Sequence, residues 1–396
     1  MDFAETRAQF YIPEHIVYLD GNSLGPLPIA AERRVAALLR EEWGAQLIAG
    51  WNDAGWMQQP ARLGERIGTL IGAPPGTVTV GETLSIRIYQ ALAAALDRVP
   101  DRKVVLSDTG NFPSDLYMAK TYLQRFDQDA ELRLVAPQEV EAALDESVAV
   151  LMLTQVDYRS GRLHDMAHLT RAAHACGALT LWDLAHSAGA LPVALAAAGA
   201  DFAAGCTYKY LNGGPGAPAF IYVAPAHIDA VQPVLSGWLG HRAPFAFDPD
   251  YRPGAGIERM RVGTPPVIAM AALEAALDVF DGVDMNDIRD ASMALAEYFI
   301  DEVQRRCPQL ILASPRDPAL RGSQVSFAFD QGYAAMQALI ERGVIGDFRA
   351  PDIMRFGFAP LYINRQDLTR ALDILEEVIR DELWDNPAYK VRRAVT

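Results

Sequence analysis

Residues 148–183 read VAVLMLTQVDYRSGRLHDMAHLTRAAHACGALTLWD, and this stretch decides the fold. Val148–Thr154 is an unbroken apolar run ending in threonine, the pattern of a strand covered on both faces. Residues 166–176 have helical spacing and lead through Gly177 to a second apolar strand, 178–183. Outward from this unit the alternation continues. Residues 103–107 (KVVLS) read as a strand, and 112–126 as a helix with Pro113 in its first turn. Glu131–Val135 reads as a strand and 138–144 as a short helix. Runs of this kind indicate an α/β architecture, a parallel sheet with helices on both faces.

The pattern changes from Gly282. A long helix, Met285–Arg306, precedes strands near 310–313 and 324–329. Helix 333–342 and strand-like 354–358 follow, then an amphipathic helix beginning at Asn364 with Asp367 as a first-turn acid. That is an α+β C-terminal domain. Residues 236–263, rich in Gly, Pro and aromatics, have no periodicity and read as ordered loop, which in a compact protein is usually functional.

The chain has 396 residues, enough for one large and one smaller domain. Hydrophobic residues at 51% and charged residues at 21% exclude a disordered or fibrous class. A net charge of −15 argues against nucleic acid or an anionic membrane as partner. Three scattered cysteines, Cys176, Cys206 and Cys307, fit a reducing compartment rather than a disulfide framework. The opening MDFAETRAQFY is no secretory signal, and the apolar tract 189–205 is broken by Pro192 and Asp201. A cytoplasmic location is expected.

Two features carry chemistry. Asp183 ends a strand of the parallel sheet, the edge outside which such sheets bind ligands; an N-cap for the next helix is the alternative. Residues 206–216, CTYKYLNGGPG, set Lys209 among apolar and small residues. A lysine so placed is desolvated, which makes it a better nucleophile toward an aldehyde; a snorkelling surface lysine is the alternative. Pro215 and Pro218 rule out a dinucleotide-binding helix after the glycines. His164 and His168 are spaced i, i+4, but no acid stands between them as a zinc protease needs, so surface or capping histidines are expected and no metal.

The blocks YLDGNSLG (18–25), FPSD (112–115), DLAH (183–186), YKYLNGGPGAPAF (208–220) and FGFAPLY (356–362) resemble kynureninase motifs, in the same order along nearly the whole chain. Kynureninases are pyridoxal-phosphate (PLP) enzymes of fold type I, in the class-V aminotransferase group. The resemblance implies a large domain, residues 51–281, with a mostly parallel seven-stranded sheet, and a smaller C-terminal domain, 282–396. Residues 1–50 would contribute to the small domain and to dimer contacts.

The resemblance also implies roles. Lys209 would hold PLP as a Schiff base and later move a proton at the substrate Cα, and Asp183 would pair with the pyridine nitrogen. Phe112 would stack on the ring, with Asp115, Thr154 and His186 around it. Leu84 and Ser85, opening a helix, would hold the phosphate. Glu82 is a charge out of place there, which Arg87 could offset. Tyr208, Trp238 and Thr264 would complete the phosphate cup, the last two from a second subunit of a homodimer. Arg355 would clamp the substrate carboxylate, with Arg349 as a rival, and Trp51 would meet the aryl ring, with one of Trp51 and Trp56 purely structural.

The implied reaction is a hydrolase's cleavage of the Cβ–Cγ bond of L-kynurenine, with 3-hydroxykynurenine a possible second substrate. Its products are anthranilate and L-alanine, in tryptophan catabolism. Tyr208 is the candidate for proton transfer at the γ-carbonyl. Two other readings are a cysteine desulfurase or another class-V lyase, and a PLP-fold protein without catalysis. Cys307, at a helix end before Pro308, lacks the mobile setting a desulfurase nucleophile needs.

Overall fold

The structure, a computed structural model, describes residues 3–126 and 129–392. Seven strands form the main sheet: β1 Val78–Val80, β2 Val104–Asp108, β3 Glu131–Val135, β4 Val148–Thr154, β5 Leu179–Asp183, β6 Phe202–Gly205 and β7 Phe220–Val223. Their spatial order is β1-β7-β6-β5-β4-β2-β3. Strands β2 to β6 run parallel, while β7 is antiparallel to both its neighbours.

Alternation along the strands sends side chains into two cores. Val105, Met152, Leu181 and Ile221 pack with Ile88 and Leu92 of α1 (Leu84–Arg98) and with Ala119 of α2 (Pro113–Phe126) on one face. Leu151, Leu153 and Trp182 pack with Leu169 and Ala173 of α3 (Met166–Ala175) on the other. With both faces covered, every residue of β4 is buried, which is why its sequence is apolar throughout. The stretch read as one short helix, 138–144, is instead two 3₁₀ turns, Pro137–Glu139 and Glu141–Ala143.

The C-terminal layer begins with α4 (Met285–Arg306). Its sheet holds β8 Ile311–Leu312, β9 Gln324–Ala328, β10 Asp347–Arg349 and β11 Ile353–Gly357, in the order β8-β9-β11-β10 and all antiparallel. Helix α5 (Gly332–Glu341) lies between β9 and β10 in sequence. Helix α6 (Arg365–Arg380) starts in a reciprocal capping box. The Asn364 side chain accepts from Asp367 N and the Asp367 side chain from Asn364 N, each at 3.0 Å.

The N-terminal segment belongs to this layer by hydrogen bonding: Val17–Tyr18 pairs in parallel with Val344–Ile345, and Gly357 N donates to Leu19 O at 2.7 Å. It then crosses to the main sheet, where Gly25 N donates to Tyr208 O at 2.8 Å. A Cβ at residue 25 would collide with Lys209 O and Asn212 Oδ1, so only glycine permits this approach. Residues 236–263 are irregular, with three short 3₁₀ turns at Trp238–Gly240, Pro244–Ala246 and Gly256–Met260. No helix among the described residues is long and apolar enough to cross a membrane.

Candidate active site

Strands β4 and β5 end side by side on Thr154 and Asp183. Asp183 Oδ1 accepts from Ala185 N at 2.8 Å, and Thr154 Oγ1 lies 3.3 Å from Asp183 Oδ2 and 2.7 Å from Asn111 Oδ1. Asp115, in the first turn of α2, is buried beside Asp183. Neither Asp115 oxygen meets a donor in the protein, so the group is satisfied only by carrying a proton itself. Burial, then the neighbouring Asp183 charge, raises Asp115 well above the usual carboxyl range. Burial also raises Asp183, but Lys209, Ala185 N and Asp115 work against the rise. Both carboxyls are thus raised, Asp115 more than Asp183, so the pair takes up a proton more readily on Asp115.

Lys209 follows β6 in a turn pinned by Thr207, whose hydroxyl donates to Pro218 O at 2.7 Å. Its Nζ stands 5.9 Å from the Phe112 ring centroid and 5.8 Å from that of Tyr208. These three residues, with Asn22, Ser23, Tyr158, His186, Arg349 and Arg355, line one cavity of about 140 Å³. His186 is buried with an unpartnered Nδ1, and burial, then the Lys209 charge, holds its pKa well below the usual value, so its ring is neutral. The Cys206 thiol and burial push the Tyr208 hydroxyl upward, so it keeps its proton at neutral pH.

Helix α1 opens at Leu84 with Thr83 as N-cap and no side-chain cap hydrogen bond, which leaves first-turn N–H groups for a ligand. Ser85 Oγ lies 2.6 Å from Ser114 Oγ at the start of α2, so two helix starts and two hydroxyls converge. Ser114 was not among the residues anticipated, although it sits inside the FPSD block. Burial lowers the Arg87 pKa and the Glu82 charge counters part of that fall, but the guanidinium directs its hydrogen bonds elsewhere. It is buried and donates to Gly81 O at 2.8 Å, Gln90 Oε1 at 2.8 Å and Met260 O at 2.7 Å, bracing the inside of the fold.

Arg355 is 1% exposed and already bonded on four sides: to both Asp347 oxygens, to Tyr158 O and to Ser23 Oγ. A guanidinium has five N–H groups, so one on Nη1 remains. Arg349, 2.8 Å from Asp347 Oδ2, keeps more of its donors.

Three anticipated residues lie elsewhere in the chain. Trp51 and Thr264 line a separate apolar groove of about 640 Å³. Trp238 is exposed on the 236–263 loop. Trp56 is buried and donates to Glu42 Oε2 at 2.7 Å, a structural part, with Trp51 edge-on to it at 5.6 Å. His164 is not a surface residue. It is buried, its Nε2 lying 2.7 Å from Asp108 Oδ2 at the end of β2, and only His168 is exposed.

The C-terminal portion, residues 288–375, matches the model described as "Kynureninase C-terminal domain". A kynureninase of Pseudomonas fluorescens is 50% identical over 99% of this chain and 96% of its own length. The chain belongs to the kynureninase family. A second family member, from Burkholderia pseudomallei, is 49% identical over the same shares. Among solved structures, the cysteine desulfurase of Thermococcus onnurineus superposes with TM-score 0.80 at 16% identity, covering 95% of this chain and 98% of that one. A C-DES variant with glycine covalently linked to its PLP cofactor gives 0.82 at 18% identity, covering 94% and 99%. These likenesses show the fold, that of PLP enzymes of fold type I.

The site fits the family's cofactor. PLP needs a primary amine, an anion for its ring nitrogen and N–H or hydroxyl donors for its phosphate. Lys209, Asp183 and the α1 start beside Ser85 and Ser114 supply these, and the orphaned His186 Nδ1 and Asp115 carboxyl await polar partners. The desulfurase reading finds no exposed, reactive thiol: Cys307 is buried at the end of α4, its pKa pushed up to about 11 by burial, and Cys206 is buried with its thiol also raised by burial.

Proposed function

We propose that the protein hydrolyses the Cβ–Cγ bond of L-kynurenine, giving anthranilate and L-alanine in tryptophan catabolism, as a cytoplasmic homodimer. The observation that carries this reading is the cavity in which Lys209, Tyr208 and two arginines face one another. Bound PLP supplies an electron sink conjugated to the substrate Cα. The residues of the chain do the rest. Asp183 holds the pyridine nitrogen, Phe112 covers the ring, and Asp115, Thr154 and His186 surround it. Leu84, Ser85, Ser114 and Tyr208 take the phosphate.

Arg355, with Arg349 beside it, receives the α-carboxylate. The Lys209 amine takes the proton from Cα, and the Tyr208 hydroxyl gives one to the γ-carbonyl oxygen as water adds there. The same tyrosine can then take the proton back as the bond to Cβ breaks, and the proton that water lost on adding is balanced by the one that Cβ gains to give alanine.

Two grooves support the dimer. The one holding Trp51 and Thr264 adjoins another of about 710 Å³, and both are lined by Val35, Gly213, Gly214, Pro215 and Ala272. Exposed Trp43, Leu47, Ile48, Phe245 and Phe247 enlarge the apolar surface. Thr264, Trp238 and the ring-contacting Trp51 would thus serve the neighbouring copy's site. The domain division 1–50, 51–281 and 282–396 fits this arrangement. Steady-state assay of anthranilate release from L-kynurenine and from 3-hydroxykynurenine tests the reading; no turnover of either by PLP-saturated protein overturns it.

A further inference from the structure

The block at residues 18–25 holds a side chain that the functions above leave unused. Asn22 is fully buried and lines the cavity around Lys209, yet neither its Nδ2 nor its Oδ1 has a hydrogen-bond partner in the protein. A buried amide left unpaired costs stability, and such a group is retained where something outside the chain satisfies it. Its position is fixed by β11. Gly357 N is tied to Leu19 O at 2.7 Å, and a Cβ at residue 357 would collide with Asn22 Oδ1. Residues 355 and 357 share one face of that strand, so the amide sits on the side where Arg355 projects.

The surroundings identify what the amide meets. Ser23, the next residue, lies 2.5 Å from Asp347 Oδ2 and 3.1 Å from Arg355 Nη2. Arg349 and Arg355 share the carboxylate of Asp347, and the neighbouring Asp20 is pushed up to about 7 by burial and the Asp347 charge, so with Asp20 protonated this end of the cavity is positive by one charge. Arg355 has one free N–H, too few for two parallel bonds to an anion. An anionic group entering here can take a further donor, and the Asn22 amide, lining the same cavity, has an unpaired one to give.

We propose that Asn22 contacts the substrate, its Nδ2 donating to the α-carboxylate beside Arg355 and Arg349. The inference rests on the amino-acid site proposed above, but not on kynurenine being its substrate. Asn22 thereby selects amino acids over the amines that lack a carboxylate.

The test is binding to the PLP-loaded protein, read from the cofactor's visible absorption, with L-alanine compared against ethylamine. Asn22→Ala should weaken L-alanine about tenfold or more, the effect of one hydrogen bond to a charged group, and leave ethylamine unchanged. Because the amide has no partner in the free protein, the same variant should keep the wild-type melting temperature without ligand. Asn22→Asp, which sets an anion against the carboxylate, should weaken L-alanine further. Equal weakening of both ligands, no weakening, or a lower melting temperature of the unliganded variant overturns the proposal. Wild-type protein that binds L-alanine but does not cleave L-kynurenine overturns the functional reading instead and leaves Asn22 standing.

Discussion

Asp347 and Arg355 stand opposite each other across the antiparallel pair β10–β11, and one carboxylate takes both Nε and Nη2 of the guanidinium. Both side chains are 1% exposed. The pairing explains how a cationic clamp survives burial: the charge is neutralised before substrate arrives, and Arg349 adds the positive charge that remains.

Asp347→Asn should therefore damage both fold and binding. Removing one partner of a buried pair costs about 3–5 kcal/mol, and a misaimed Arg355 should raise KM for L-kynurenine at least tenfold with less effect on kcat. Burial pushes Asp347 upward, but its bonds to Arg355 outweigh this and hold its pKa below the usual value. Its contribution is thus fully present above about pH 4, the unfolded value, and is lost as pH falls through the folded one. Thermal melts across pH 2–7 should show a shallower acid loss in the variant; parallel curves would contradict this.

Asp115 and Asp183 should answer differently to the same substitution. Asp115 takes up a proton more readily than Asp183, so Asp115→Asn should retain kcat within about tenfold, whereas Asp183→Asn removes the anion and should cost at least a hundredfold. Because the folded pKa of Asp115 lies above its unfolded value, the wild-type apoprotein loses stability as pH rises from about 4 through that folded value. Asp115→Asn should remove this loss and melt higher at neutral pH. Equal kinetic damage from the two variants would reverse the assignment of proton and charge.

Lys209→Ala should abolish the visible absorption band of the PLP-loaded protein and reduce turnover at least a thousandfold. Tyr208→Phe should keep the band and lower kcat about a hundredfold. A near-normal rate for Tyr208→Phe, with weaker retention of PLP, would make the tyrosine a phosphate ligand alone.

Sharing of residues between subunits predicts complementation. Lys209→Ala and Trp238→Ala proteins, each impaired alone, should form hybrid dimers with one intact site after mixing and re-equilibration. Random pairing then gives roughly a quarter of wild-type activity from equal amounts, by simple statistics for a two-fold dimer with shared sites. Activity no higher than the average of the two variants, with exchange verified by mass, would place Trp238 in the site of its own chain.

Much of the fold was legible because the parallel sheet writes itself into sequence. Strands β3 and β4 and helix α4 match the sequence expectation residue for residue, and for β4 the reason is that a strand buried on both faces must be apolar throughout. The segment 138–144 has helical composition, but seven such residues are also compatible with two 3₁₀ turns, and length decides between them. His164 looked peripheral for a similar reason. Its partner, Asp108, ends a strand remote in sequence, so only the folded chain buries it.

By itself, the sequence determined the alternating α/β architecture, the strand-end placement of Asp183 and the singular setting of Lys209. Each follows from local periodicity or from neighbours within a few residues. Only the tertiary structure decided that Asp115 takes up a proton more readily than Asp183, that Arg87 braces the fold, and that Asn22 and Ser23 share a cavity with Arg355. Those relations join residues up to about 330 positions apart, and depend on which groups are desolvated together, a property of packing that no window of sequence contains.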